Sequence, residues 1–282
     1  MLKATFDIIP ENVAQTDLKK HLLLMEVSDQ IFCYVLYNRE TQRYLGFRQY
    51  NLDFIPGKIP LEALQEILAG DVHLQHAFDE AYLVYHYADS SLLPEKYFSI
   101  DLNKPVTEIV YGNARKGLLL NDKVAGWDLY NIYRIPREVH SLLQGKFAAG
   151  KYWHYNTLLL SGIDQNSIEG DLIKVVIAAD KFAVVAFKNK QLQLAQSYHY
   201  QTPEDVSFQL LALALQFGLD QETVNLTVSG LVDEQSILYQ EMLKYFNRLE
   251  WEQLPGETSL EEGFRSFPSH YFSPLLKMAL CV

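Results

Sequence analysis

DLIKVVIAADKFAVVAFKNKQLQLAQSYHY, running from Asp171 to Tyr200, holds three short apolar runs separated by two polar turns. Runs of this length, bounded by Ala179-Asp180-Lys181 and Asn189-Lys190, predict three strands: Leu172–Ala178, Phe182–Lys188 and Leu192–Tyr200. Asn and Asp suit such turns because they tolerate left-handed backbone or bond their own main chain. Pro203-Glu204-Asp205 then opens a helix to Phe217, where a proline in the first turn loses no hydrogen bond. Thr202 is placed to cap this helix, with Asp205 three residues on. Val206, Leu210, Leu213 and Phe217 form a stripe that Phe208, Leu211 and Leu215 widen, so the helix is expected to lie buried against a sheet. A strand, Val224–Ser229, and a helix, Glu234–Phe246, complete the unit.

The same order occurs once before. Strands are expected at Leu22–Val27, Ile31–Tyr37 and Tyr44–Asn51, then a helix at Pro60–Ala69, a strand at Ala81–Tyr87 and a closing segment at Ser90–Phe98. Asp171 lies 150 residues after His21 and Asn189 lies 151 after Asn38, which puts one extra residue at the first turn of the later copy. Identity between the copies is low, so their equivalence rests on element order and spacing. Ile100 to Gly170 has no counterpart elsewhere. Val106–Tyr111, Leu118–Leu120 and Trp127–Tyr133 read as strands, Pro136–Phe147 as a helix, and Lys151–Ser161 as a helix continuing to about Ile168. A last short helix is expected at Pro274–Leu280. The expected fold is α/β, with two domains of similar topology at residues 1–145 and 146–282, each a mixed sheet flanked by helices.

Composition narrows the function classes. A chain of 282 residues suits about two domains, and 49% hydrophobic residues supply their cores. The formal net charge of −11 argues against nucleic acid and against an anionic membrane surface, both of which ask for a basic footprint. No run reaches the roughly 18–20 apolar residues of a membrane-spanning helix. The opening Met1 to Asp7 has no apolar run of the kind a signal peptide carries. The two cysteines, Cys33 and Cys281, form no framework, which suits a reducing cytoplasm. His73 and His76 have a spacing open to metal binding, with no third ligand in sight, and otherwise read as a solvated helix face. His140 and His154 lack a nucleophile or an orienting acid at a recognisable spacing and read as core or surface histidines.

Leu92-Leu93-Pro94-Glu95-Lys96-Tyr97-Phe98, Tyr130-Asn131-Ile132-Tyr133-Arg134-Ile135-Pro136 and Thr227-Val228-Ser229-Gly230 resemble a bacterial family of unknown function, DUF3822. Three strands, helix, strand and helix, twice in one chain, resemble the actin-like ATPase superfamily, whose domains are ribonuclease H-like. Its members include actins, sugar kinases, the 70-kDa heat-shock chaperones and assembly proteins of the FtsA and PilM type. The resemblance implies a nucleotide cleft between the two domains. There the first hairpin of each half reads apolar-Asp-x-Gly, with glycine amides on the phosphates and the carboxylate on Mg²⁺ or its waters. Here the hairpins read Met25-Glu26-Val27-Ser28-Asp29 and Val176-Ile177-Ala178-Ala179-Asp180, neither with a glycine. The adenosine-side motif keeps one glycine, Gly230, which a strand-to-helix turn would ask for in any case.

If a nucleotide binds, the resemblance places Glu26, Ser28, Asp180 and Gly230 against it; no catalytic residue and no metal ligand is assigned. The expected function is that of a noncatalytic cytoplasmic protein, without a cofactor, acting through a protein partner. The alternative is an ATP-binding assembly ATPase or kinase-like enzyme with an atypical phosphate site. A metal- or histidine-dependent hydrolase is a third reading.

Overall fold

The structure is a computed structural model, and it describes residues 2–11, 13, 17–52, 60–113, 116–254 and 258–281. The chain packs as two units. Met1–Leu158 and Pro255–Phe267 form the first, and Leu159–Leu254 and Pro268–Cys281 the second.

The first unit begins with β1 (Phe6–Asp7), β2 (Leu22–Val27), β3 (Ile31–Asn38) and β4 (Arg43–Asn51). Helix α1 (Leu61–Gly70) leads to β5 (Glu80–Tyr85). Then come β6 (Ser90–Pro94), α2 (Asn103–Tyr111), β7 (Leu118–Lys123), β8 (Leu129–Ile135), α3 (Arg137–Lys146), β9 (Lys151–His154) and α4 (Tyr155–Ser161), the helix in which the chain passes to the second unit. Residue 145, where the sequence pattern sets the domain boundary, lies inside α3. The main sheet has the order β1-β4-β3-β2-β5-β9, and a two-residue strand, Ser259–Leu260, also pairs with β4. β2, β3 and β4 are antiparallel, whereas β5 and β9 run parallel to β2. β6, β8 and β7 make a separate three-stranded antiparallel sheet.

The second unit contains β10 (Leu172–Ile177), β11 (Lys181–Lys188), β12 (Gln191–His199), α5 (Pro203–Phe217), β13 (Asn225–Gly230), α6 (Ile237–Leu243), β14 (Leu249–Trp251) and α7 (Ser273–Leu280). Its sheet has the order β12-β11-β10-β13-β14, antiparallel at the first three strands and parallel at the last three.

The duplication holds at the level of register. Leu22 faces Tyr37 and Val27 faces Phe32 in one hairpin; Leu172 faces Phe187 and Ile177 faces Phe182 in the other. Equivalent residues are therefore 150 apart across the whole hairpin. No residue is gained at the first turn, contrary to the expectation from Asn38 and Asn189; Asn38 matches Lys188. Both copies then slip register at the same place, between Leu36 and Tyr37 and between Ala186 and Phe187. They diverge at the next turn, which spans residues 39–42 in the first copy and Asn189-Lys190 in the second. Asn189 (φ 48°) and Lys190 (φ 67°) are both left-handed, as a tight two-residue hairpin turn requires.

A second correction concerns the end of the unit. Ser90–Pro94 is a strand of the small sheet, not the counterpart of the helix after β13. The counterpart of α6 and β14 is α3 and β9, since each pair returns the chain to a strand parallel to its predecessor. The first unit is the second with β6, α2, β7 and β8 set between the fifth strand and its helix.

Local expectations fail where tertiary contacts outweigh propensity. Val106–Tyr111, rich in β-branched residues, is helical. Asn103 and Thr107 lie buried one turn apart, Thr107 Oγ1 donates to Asn103 O at 2.7 Å, and Gly112 (φ 72°) ends the helix. Lys151–His154 is a strand because it pairs with Tyr82–Tyr85, so the helix begins only at Tyr155 and ends at Ser161. His73 sits buried in a 3₁₀ turn, not on a solvated helix face.

Each unit has its own core. In the first, Leu23, Met25, Phe32 and Tyr34 of the sheet meet Leu64 and Ile67 of α1 and Val139 and Leu143 of α3. In the second, Ile173, Val175, Val184 and Val228 meet Val206, Leu210 and Leu213 of α5 and Met242 of α6. α5 carries the expected capping box, Thr202 with Asp205, and ends at left-handed Gly218. Its apolar stripe is narrower than expected. Leu211 and Phe217 are only partly buried, and Phe208 and Leu215 face solvent at 67% and 84% exposure.

Candidate functional site

The residues that the phosphate-loop pattern singles out, Glu26, Ser28 and Asp180, lie on the first hairpin of each unit, and each already has a neighbour within its own unit. In the first unit, Ser28 N donates to Ile31 O at 2.9 Å. Ser28 Oγ accepts from Gln30 N at 3.2 Å and from Ile31 N at 3.0 Å. The amides that a phosphate would meet here are held by a hydroxyl of the same turn. Glu26 projects from β2 beside β5, and its Oε1 lies 2.8 Å from Nδ1 of His86. His86 is itself fixed: its amide donates to Val27 O, and its buried ring stacks on Tyr155 at 3.8 Å with 8° between the planes. Glu26 also acts inward. Burial, and then the charge of Glu26, push the thiol of Cys33 well up.

In the second unit the equivalent turn has no hydroxyl. Ala178 N donates to Lys181 O at 2.8 Å, and Tyr200 closes the turn from the side, its hydroxyl donating to Ala178 O at 2.8 Å. Asp180 is buried, with Oδ2 at 3.4 Å from His199 Nδ1 and 4.0 Å from Lys181 Nζ. Lys181 is not a turn residue but the first residue of β11, and its side chain is 1% exposed. Gly230 (φ 87°) closes β13 opposite Ile177, the residue before this turn. A Cβ there would lie 2.0 Å from Ile177 O, so strand contact alone demands glycine. The first hairpins thus carry Glu26 and Ser28 in one unit and Asp180 in the other, where Gly230 lies on the neighbouring strand opposite Ile177.

Past Gly230, Asp233, Glu234, Ser236, Trp251 and His270 line an open groove of about 800 Å³. Its aromatic wall is already stacked. Tyr239 lies 4.9 Å from one face of Trp251 and His270 3.9 Å from the other, and Trp251 Nε1 donates to Glu234 Oε1. Among the described residues no group of three or more His, Cys, Asp and Glu side chains is placed to hold a metal ion.

A further buried polar constellation lies outside the phosphate-loop pattern. Asp122, Ser90, Asn131, His154, Asn156 and Thr157 are all buried in the first unit. Asp122 accepts from Tyr133 OH (2.9 Å), His154 N (2.7 Å) and Thr157 Oγ1 (2.9 Å). Thr157 Oγ1 accepts from Asn131 Nδ2, whose Oδ1 accepts from Ser90 Oγ. Asn156 N donates to His154 Nδ1, so the proton of that ring is on Nε2, which donates to Tyr87 O at 2.9 Å. His140, the other histidine considered as a base, bonds Tyr85 OH through Nδ1 at 2.8 Å, and burial lowers its pKa. The partners come from four separate stretches of chain, and no spacing in the sequence announces them.

The fold and these sites can be set beside known proteins. The family model described as "Protein of unknown function (DUF3822)" matches residues 10–249. The chain belongs to the DUF3822 family. No curated protein matches its sequence. In structure, this DUF3822 chain is similar to a Bacteroides thetaiotaomicron protein of actin-like ATPase fold and unknown function. Identity is 14%, with 88% of this chain and 95% of that one covered and a TM-score of 0.73. It is also similar to the solved PilM–PilN type IV pilus biogenesis complex, at 11% identity, 92% and 96% coverage and a TM-score of 0.59. The DUF3822 chain therefore has the actin-like ATPase fold. None of its described helices is long and apolar enough to cross a membrane.

Proposed function

We propose that this DUF3822 protein is a noncatalytic, cytoplasmic member of the actin-like fold that acts by holding protein partners. The observation that carries the reading is the first turn of the first unit. Phosphate loops hold anions with unengaged backbone amides near a glycine. Here the amides of Gln30 and Ile31 are taken by Ser28 Oγ, and the carboxylate of Glu26 is paired with His86. The second unit offers a buried Asp180 and a glycine explained by strand contact. The formal charge of −11 further disfavours a polyanionic ligand. A fold relative within the PilM–PilN complex agrees with work done through partners.

Thermal unfolding with and without Mg·ATP tests the reading. At millimolar ligand, a micromolar site would add roughly 4 kcal/mol and raise the melting temperature by several degrees. No rise is expected. A rise of several degrees that Asp180→Ala abolishes would replace this reading with that of an ATP-binding assembly protein or kinase-like enzyme.

A further inference from the structure

Asp122, on β7, is the one carboxylate of the buried network in the first unit, and every contact it makes arrives as a donor. Tyr133 OH comes from β8, His154 N from the end of β9 and Thr157 Oγ1 from the first turn of α4. None of these partners is a cation. The Thr157 hydroxyl already accepts from Asn131 Nδ2 while it donates to Asp122, and the His154 amide can only donate. The Tyr133 hydroxyl alone is able to reverse and accept a proton from the carboxyl. Two imidazoles face the junction: the His154 ring lies 4.9 Å from Tyr133 with both nitrogens bonded to backbone, and His86, paired with Glu26, stacks on Tyr155. Tyr85 of β5 and Tyr152 of β9 lie behind Tyr133. His140 of α3 is bonded to Tyr85 OH, and α2, packed on β7, turns its Lys104–Glu108 pair to the surface.

We propose that Asp122 is a proton-operated latch on the junction of β9 and α4, closed by protonation of its carboxyl and loosened by ionisation. Two of its three bonds hold this junction, so opening the junction exposes the carboxyl to water. Burial drives the Asp122 pKa up to about 6 in the closed form, although the bonds from His154 N, Thr157 and Tyr133 all favour the charged form. An exposed aspartate ionises near 3.8. The closed form therefore binds the proton more tightly. Opening becomes rarer as pH falls through about 6 towards 4, and its full population returns above about pH 6. A difference of about two pKa units sets the limit of the effect at about 100-fold in the opening equilibrium.

Hydrogen–deuterium exchange of the full-length protein, read on peptides that cover residues 154–158 and corrected for intrinsic exchange, tests the latch. In the wild type the opening equilibrium should fall by roughly 25-fold between pH 7.5 and 4.5, since the carboxyl of the open form is still largely ionised at pH 4.5. In Asp122→Asn, which keeps an acceptor for the His154 amide but carries no titrating proton, it should not change. Equal slopes in the two proteins, or a flat wild-type profile, would overturn the proposal. Should Asp122→Asn fail to fold, carboxyl-carbon NMR of the wild type decides. One aspartate titrating near pH 6 supports the latch, and titration of every aspartate below pH 4.5 rules it out.

Discussion

Glu252 follows β14 and is 4% exposed, yet it carries a full charge. Lys174 Nζ of β10 donates to its Oε1 at 2.7 Å, Lys277 Nζ of α7 donates to the same oxygen at 2.9 Å, and Ser273 Oγ donates to Oε2. Burial alone would raise its pKa, but the two ammonium groups outweigh burial and hold it down to about 2, from an ordinary 4.5. A drop of about 2.5 units is worth about 3 kcal/mol of folding stability. Because the folded pKa is the lower one, that stability is fully present above about pH 4.5. It shrinks to about half near pH 3 and is lost as pH falls through 2. Glu252→Gln keeps the shape and a carbonyl acceptor but removes the charge, leaving the half-buried Lys174 and Lys277 ammonium groups without their shared carboxylate. It should cost about 3 kcal/mol at pH 7 and clearly less at pH 3, with the denaturant slope unchanged. Urea unfolding followed by circular dichroism at the two pH values gives both numbers. A cost below about 1 kcal/mol at pH 7, or an equal cost at both, would refute the view that this buried ion pair fastens α7 to the second sheet.

Gly230→Ala should destabilise by about 3 kcal/mol or more, since its Cβ would stand 2.0 Å from Ile177 O at a φ that L-residues avoid; an unchanged midpoint in urea would contradict this contact. Leu210→Ala on α5 should cost about 2–5 kcal/mol, and Leu215→Ala, five residues on but facing solvent, less than about 0.5 kcal/mol, both by the same titration. Ser28→Ala removes the acceptor for Gln30 N and Ile31 N and should cost about 1–2 kcal/mol, seen as faster amide exchange at those two residues.

Strands and helices that follow one periodicity were legible. Leu22–Val27 and Ile31–Asn38 are apolar except at Glu26 and Asn38 because both faces of the sheet are covered, and the cap of α5 is written in Thr202, Pro203 and Asp205. Val106–Tyr111 was not legible, because its helix depends on burying Asn103 and Thr107 rather than on propensity. Lys151–His154 was missed for a related reason: its strand depends on a partner about 70 residues earlier. At the candidate site, the missing glycines could be read directly. The loss of the turn amides to Ser28 could not, since serine is equally common in turns that do bind anions. Asp122 lies two residues past the strand that the sequence predicts at Leu118–Leu120, and only the arrival of Tyr133, His154 and Thr157 shows that it is buried among donors.

The edge of β4 has an implication for synthesis on the ribosome. β1 pairs with it at Arg48 and Gln49, and Ser259–Leu260 pairs at Arg43 and Tyr44. Phe264 is buried and Phe267 packs edge-on against Phe6, so the late stretch is part of the first unit's structure. The nascent chain must therefore extend by roughly 100 residues beyond Leu158 before that unit can be finished, which at about 5–20 residues per second takes roughly 5–20 s. During that interval half of the β4 edge has no strand beside it. A chaperone that shields exposed strand edges would have its longest opportunity on this protein then, and a stall in translation before Ser259 would leave a chain inclined to pair with its neighbours.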